Sequence, residues 1–135
     1  MAGEEAKAAV LKRLAGARHI VPLPKHRVKL GDVIVHTRFR SAAKKGGTVW
    51  SFNINPNTLT ADFELWVCGS KNAYYLIPRE RIHEIYNAPN GWTDYAHPEI
   101  KVAEVDTRTH ACAYRKGPGI DFGPYYLAHL LAPAP

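Results

Sequence analysis

The sequence predicts a mixed α/β domain built on a central sheet that is flanked by helices. Its 135 residues are a length typical of a single domain. Its composition, with 46% hydrophobic and 22% charged residues, is that of a globular protein and argues against disorder. Helix-like and strand-like patterns also follow one another along the chain, which favours helices packed on a sheet.

The first segments predict one helix, one extended stretch and one long strand. Residues 4–15 carry apolar side chains at helical spacing and are followed by a glycine, which predicts a helix. Residues 19–23 contain a proline, so we expect an edge strand or a loop there. Residues 32–40 alternate between two faces, as a half-buried strand does. Asp32, Ile34, His36, Arg38 and Arg40 share one of these faces.

The middle of the chain predicts two hairpins and a helix. The glycines and lysines of residues 44–47 predict a turn into a second strand at 48–54. Residues 61–68 become apolar toward their end, as a strand entering the centre of a sheet does. A short loop then predicts a hairpin to a strand at 73–77. Pro78 is favourable at the start of a helix, which we expect at Arg79–Tyr86.

The C-terminal part predicts shorter elements. We expect residues 87–98 to be irregular and residues 100–106 and 111–114 to form two strands. Residues 124–131 predict a terminal helix, and residues 132–135 are a frayed tail. The domain is therefore expected to span residues 1–131.

Positive charge is concentrated in one stretch of the chain. The net charge is +6, and residues 25–45 hold all of this excess, because the rest of the chain balances to zero. Seven basic residues share this stretch with a single acid: Lys25, Arg27, Lys29, Arg38, Arg40, Lys44 and Lys45. Such asymmetry predicts an anionic partner, nucleic acid first, with a solvated basic face as the alternative. Arg38 and Arg40 would lie ~6–7 Å apart on one strand face, a spacing that suits phosphates.

Other side chains offer candidates for metal binding and for packing. Asp32, Asp62 and Glu64 could ligate a metal ion if they converge, since a hydrolytic Mg²⁺ site needs several carboxylates; otherwise they are solvated or salt-bridged. Trp50 and Phe52 could stack on bases, but alternating aromatic residues are more often core residues, which we take as the expectation.

The cysteines and the lack of targeting signals predict the compartment. Cys68 and Cys112 lie between apolar neighbours, which predicts buried thiols in a reducing cytoplasm. The acidic N-terminal residues predict no signal peptide, and no apolar run is long enough to predict a membrane span. We therefore expect a cytoplasmic protein with no membrane partner.

Short motifs in residues 1–86 resemble the PD-(D/E)XK nuclease superfamily. They are Val-Ile-Val-His-Thr-Arg at 33–38, Trp-Ser-Phe at 50–52, Asp-Phe-Glu-Leu-Trp-Val at 62–67 and Tyr-Tyr-Leu-Ile-Pro at 74–78, with an amphipathic helix before them. The resemblance implies a restriction-endonuclease-like fold, used mostly for DNA cleavage. It makes residues 1–86 a nuclease-like core and residues 87–131 a C-terminal extension.

The resemblance also implies where a catalytic site would lie. The catalytic lysine of the family falls at His36, and the acidic residue two positions before it falls at Ile34. Isoleucine cannot ligate a metal ion, and histidine lacks the permanent charge of lysine at neutral pH. Asp32 is the acid available nearby, and Arg38 could supply positive charge. The catalytic candidates are Asp32, His36 and Arg38, and Mg²⁺ is implied only if the protein is active.

We therefore expect a protein that binds nucleic acid, with DNA as the first choice, through a fold whose catalytic site is incomplete. Two alternatives stay open: an active metal-dependent endonuclease with a rearranged site, and a structural or interaction protein without a nucleic-acid partner. The aromatic residues of the extension either anchor an interface, such as a homodimer contact, or close the core. These residues are Trp92, Tyr95, Tyr125 and Tyr126.

Overall fold

The computed structural model describes residues 2–130 and has two α-helices and nine strands in that range. The helices are α1 (Ala2–Ala15) and α2 (Arg79–Tyr86). The strands in chain order are β1 (Ile20–Leu23), β2 (Arg27–Leu30), β3 (Val33–Arg40), β4 (Val49–Ile54), β5 (Phe63–Cys68), β6 (Tyr74–Pro78), β7 (Lys101–Asp106), β8 (Ala111–Ala113) and β9 (Ile120–Asp121). The mixed α/β class is confirmed.

The strands form two sheets, where the sequence predicted one central sheet. The first sheet has the order β1-β2-β3-β5-β6, and the second has the order β4-β7-β8-β9. Strand β3 pairs with β5 in parallel, and all other neighbours are antiparallel. Parallel strands cannot be joined by a tight turn, so the chain leaves the first sheet after β3. The predicted hairpin at residues 44–47 is therefore wrong, because β4 pairs with β7 instead of β3.

Helix α1 covers one face of the first sheet. Its Val10 and Leu14 are buried in a cluster with Val35 of β3 and Leu65 of β5. The helix was predicted from its apolar spacing, and the odd-numbered face of β3 packs against it as the alternation predicts. Neither described helix is long and apolar enough to cross a membrane.

The second sheet packs against the opposite face of the first. Phe52 of β4 stacks on Trp66 of β5 with ring centroids 4.7 Å apart, and both side chains are buried. Phe52 is thus a core residue, as expected, and is not available for stacking on bases. Ile82 and Ile85 of α2 join the same cluster. Helix α2 has the predicted bounds, with Pro78 as its N-cap residue.

Residues 87–130 contribute to this second core. They supply β7, β8 and β9, and Tyr125 and Tyr126 pack against the cluster. Trp92 and Tyr95 remain exposed.

The predicted terminal helix at 124–131 is wrong within the described residues. The chain makes one 3₁₀ turn at Gly123–Tyr125, and Leu127 has a φ of 54°. The Leu127 N–H donates to the carbonyl of Tyr74 at 2.9 Å, so contact with β6 overrides the local helical pattern. Residue 131 and the predicted tail at 132–135 lie outside the described residues.

The two thiols provide a test of the packing between the sheets. Cys68 and Cys112 are both buried; burial raises the pKa of Cys68 to about 12 and also raises the pKa of Cys112. At about pH 8.5, where an exposed thiol is half ionised, we expect both thiols of the folded protein to resist iodoacetamide and both to react in urea. Counting the added groups by mass spectrometry checks this. Equal labelling rates in the folded and unfolded protein would contradict the packing.

Candidate functional site

The second sheet covers only part of one face of the first sheet. The candidate functional site lies at the edge of the covered part. The register places Arg27 of β2 beside His36 of β3 and His36 beside Glu64 of β5. Residues paired in this way share a face of the sheet. On this face Trp66 is buried under the second sheet, whereas Lys29 of β2 is exposed. The β1–β2 side of the face is therefore open.

A cavity of about 480 Å³ lies at this boundary, and we call it the basic groove. It is lined by Lys25, His26, Arg27, His36, Arg38, Asn55, Pro56, Asn57 and Thr60. Strands β2 and β3, together with the turn before β2, supply the basic residues and the histidines. The segment after β4 supplies the polar residues of the lining, which we call the polar wall: Asn55, Asn57 and Thr60. The lining, as far as the structure describes it, contains three permanent cations and no carboxylate.

The turn between β1 and β2 brings two of these side chains to the rim of the basic groove. Lys25 and His26 have φ angles of 62° and 60°, a conformation that costs side-chain-bearing residues about 1–2 kcal/mol each. Such a turn persists when its surroundings hold it. Here Thr37 does so, because its backbone N–H and its hydroxyl donate to the carbonyl of His26 at 2.8 and 3.1 Å.

A buried carboxylate orients His36 at the floor of the basic groove. Nδ1 of His36 lies 3.1 Å from Oε1 of Glu64, and Nε1–H of Trp66 donates to the same oxygen at 3.4 Å. His36 is only 4% exposed and Glu64 only 1%. A partner on one ring nitrogen determines the orientation and tautomer of an imidazole. Nε2 is therefore the ring nitrogen of His36 that is left for a ligand in the groove.

Two buried polar atoms of this region lack a hydrogen-bond partner among the described residues. They are Nε of Arg38 and Oε2 of Glu64. A buried donor or acceptor without a partner costs about 1–3 kcal/mol. Arg38 lines the basic groove, so an acceptor bound there could satisfy its Nε–H.

The structure brings together only part of the predicted basic stretch. Lys25, Arg27 and Arg38 line the basic groove, and Lys29 shares the face of β2 that carries Arg27. The remaining three lie elsewhere. Lys44 pairs with Glu104 at 2.5 Å, and Arg40 and Lys45 are exposed without lining the groove.

The predicted metal ligands do not form a joint site in the described part of the chain. Asp32 is exposed before β3. Asp62 accepts from the backbone N–H of Ile34 at 2.9 Å and lies 3.7 Å from Arg79. The carboxylate of Glu64 contacts His36 through its Oε1 atom. Between residues 2 and 130, no three histidine, cysteine or acidic side chains are grouped so that they could hold a metal ion.

Sequence reasoning missed the polar wall of the basic groove and the partner of His36. Nothing in the local sequence indicates that Asn55 and Asn57 lie beside β2 and β3 in the folded protein. Glu64 did carry a signal, since it is the single charged residue in the apolar strand β5. An isolated carboxylate in such a strand indicates a buried partner.

Comparisons with protein-family models, curated proteins and solved structures found no match to this chain.

The His36–Glu64 pair can be tested by a mutant cycle. Replacing His36 with Leu leaves the Glu64 carboxylate buried beside an apolar group, and we expect the free energy of unfolding to fall by about 3–5 kcal/mol. Replacing both residues with Leu removes the unpaired charge and should recover most of this loss. Urea denaturation of the single and double variants measures both values. A single variant of wild-type stability, or a double variant with no recovery, would contradict the pair.

Proposed function

We propose that the protein binds nucleic acid through the basic groove. The observation that carries the proposal is the convergence of Lys25, Arg27 and Arg38 on one concave surface whose described lining contains no carboxylate. Like charges in a concave surface focus the electrostatic potential and attract polyanions. Arginine also binds phosphate through two parallel hydrogen bonds.

The basic surface extends beyond the cavity itself, which favours a chain of phosphates over a single small anion. Lys29 lies two residues beyond Arg27 on the same face of β2, and alternate residues on a strand are ~6–7 Å apart. Asn55, Asn57 and Thr60 line the same groove as the cations. Amide and hydroxyl groups are the ones that contact the sugars and base edges of nucleic acids.

We further propose that the first sheet has a restriction-endonuclease-like fold. The support is the order of the elements in this sheet. Helix α1 is followed by three antiparallel strands, β1 to β3. The parallel strand β5 and the Tyr-Tyr-Leu-Ile-Pro strand β6 come next in the sheet, and α2 follows β6. The sheet is mixed and has a helix on one face, as the resemblance implies. The second sheet on the other face departs from a sheet flanked by helices.

Binding is favoured over cleavage because two of the three candidate metal ligands already have structural partners. Asp62 bonds to the backbone of β3, and Glu64 holds His36. His36 stands where the resemblance requires lysine, and the side chain of Ile34 offers no metal ligand. We therefore propose a binding protein, and the same experiment tests the two alternatives of a rearranged nuclease and an interaction protein.

The test is the binding of labelled single-stranded and double-stranded oligonucleotides, followed by fluorescence anisotropy over a range of salt concentrations. We expect the logarithm of the affinity to fall linearly with the logarithm of the salt concentration. Replacing Arg27 and Arg38 with Ala should weaken binding about tenfold or more and reduce the salt slope by about 1.5–2. Replacing Lys71 and Lys116, exposed lysines outside the groove lining, removes the same charge and should change affinity less than about twofold.

Each other outcome points to a different function. Equal weakening by both variant pairs would show that only net charge matters and would contradict the groove. Wild-type protein that binds neither probe at low salt would favour the interaction protein. Cleavage of the probe in Mg²⁺ or Mn²⁺ that is lost in Asp62→Ala would favour the rearranged nuclease.

A further inference from the structure

We infer that the floor of the basic groove, formed by His36 and Arg38, is a receptor for the terminal phosphate of a nucleic-acid strand. The inference rests on the proposed function and names the part of the strand that enters the groove. The ligand class is a phosphomonoester at a strand end, as distinct from the phosphodiesters within the strand.

Arg38 presents a donor that has no use inside the described part of the protein. Its Nε is buried and without an acceptor, although the side chain lines the basic groove. A guanidinium binds phosphate best when Nε and a terminal nitrogen donate together. An anion with several free oxygens at the floor of the groove would supply the missing acceptor.

His36 matches a terminal phosphate in either protonation state. When Nδ1–H of a neutral imidazole donates to Glu64, Nε2 is an acceptor. A phosphomonoester has a second pKa near ~6, so it can carry an O–H that donates to Nε2. A protonated His36 would instead donate from Nε2 to the phosphate. An internal phosphodiester has no O–H, and it can therefore match only the protonated imidazole.

The shape of the site also suits a strand end. His36 is 4% exposed, so a ligand must reach down to the floor of the groove to contact it. Asn55, Pro56 and Asn57 line the same recess as His36. A terminal phosphate has one ester link and can enter such a recess from one side, whereas an internal phosphate needs room for the chain on two sides. The volume of about 480 Å³ is within the range of sites that take small organic ligands.

The experiment compares one single-stranded sequence with a 5′-phosphate, with a 3′-phosphate, and with hydroxyl groups at both ends. We expect one of the two phosphorylated strands to bind about tenfold or more tightly than the hydroxyl strand, because the hydroxyl strand lacks the terminal phosphate that would contact Arg38 and His36. The strand that gains affinity identifies the end that is recognised.

A pair of conservative variants separates this site from general charge. Arg38→Lys keeps the charge but removes the Nε donor, so it should bring the ratio of the affinities for the phosphorylated and the hydroxyl strand close to one. Arg27→Lys makes the same change in a residue whose Nε already donates to the carbonyl of Pro24 at 3.2 Å, and it should keep the preference. Thermal unfolding establishes that both variants are folded.

Two results would overturn the inference and leave the proposed function intact. The first is salt-dependent binding of all three strands with equal affinity by the wild-type protein. The second is an equal loss of preference in Arg38→Lys and Arg27→Lys, which would mean that the preference reports charge alone. A wild-type protein that binds none of the strands would overturn both the inference and the proposed function.

Discussion

Parallel pairing of β3 with β5 sets His36 opposite Glu64 and forces the chain to leave the sheet between the two strands. The excursion forms β4, the edge of the second sheet, and returns through the 3₁₀ turn at Pro56–Thr60. That turn is the polar wall of the basic groove, and β3 is part of its floor. This strand pairing therefore places the His36 imidazole beside its carboxylate partner, and the turn after β4 lines the groove above it.

The charged side chains around the basic groove lie at two depths. The carboxylate of Glu64 lies below the surface, where it holds His36 and accepts from Trp66. Lys25 and Arg27 face the cavity above it. The Glu64 carboxylate therefore orients the His36 imidazole inside the protein. A ligand in the groove is surrounded by the side chains of Lys25 and Arg27. An anionic ligand fits this arrangement because the described lining of the groove presents cations and no carboxylate.

Elements whose bounds depend on local pattern could be predicted from the sequence. Helix α2 begins and ends where Pro78 and the apolar spacing indicate, and β3 follows its two-residue alternation. Strand partners could not be predicted in this way, because nothing in the turn at 44–47 shows that β4 pairs with β7. The same limit applies to the site. Local charge identified Arg27 and Arg38, whereas the pairing of Lys44 with Glu104 joins residues 60 positions apart.

Mapping the contact by NMR shows whether nucleic acid binds in the basic groove. In a ¹⁵N–¹H titration with a single-stranded oligonucleotide at low salt, we expect the largest amide shifts at Lys25–Arg27, at His36–Arg38 and in the turn after β4. Smaller shifts are expected in α2 and β8. Shifts centred on the exposed lysines of the 44–47 turn, or spread evenly over the basic surface, would mean that nucleic acid binds elsewhere.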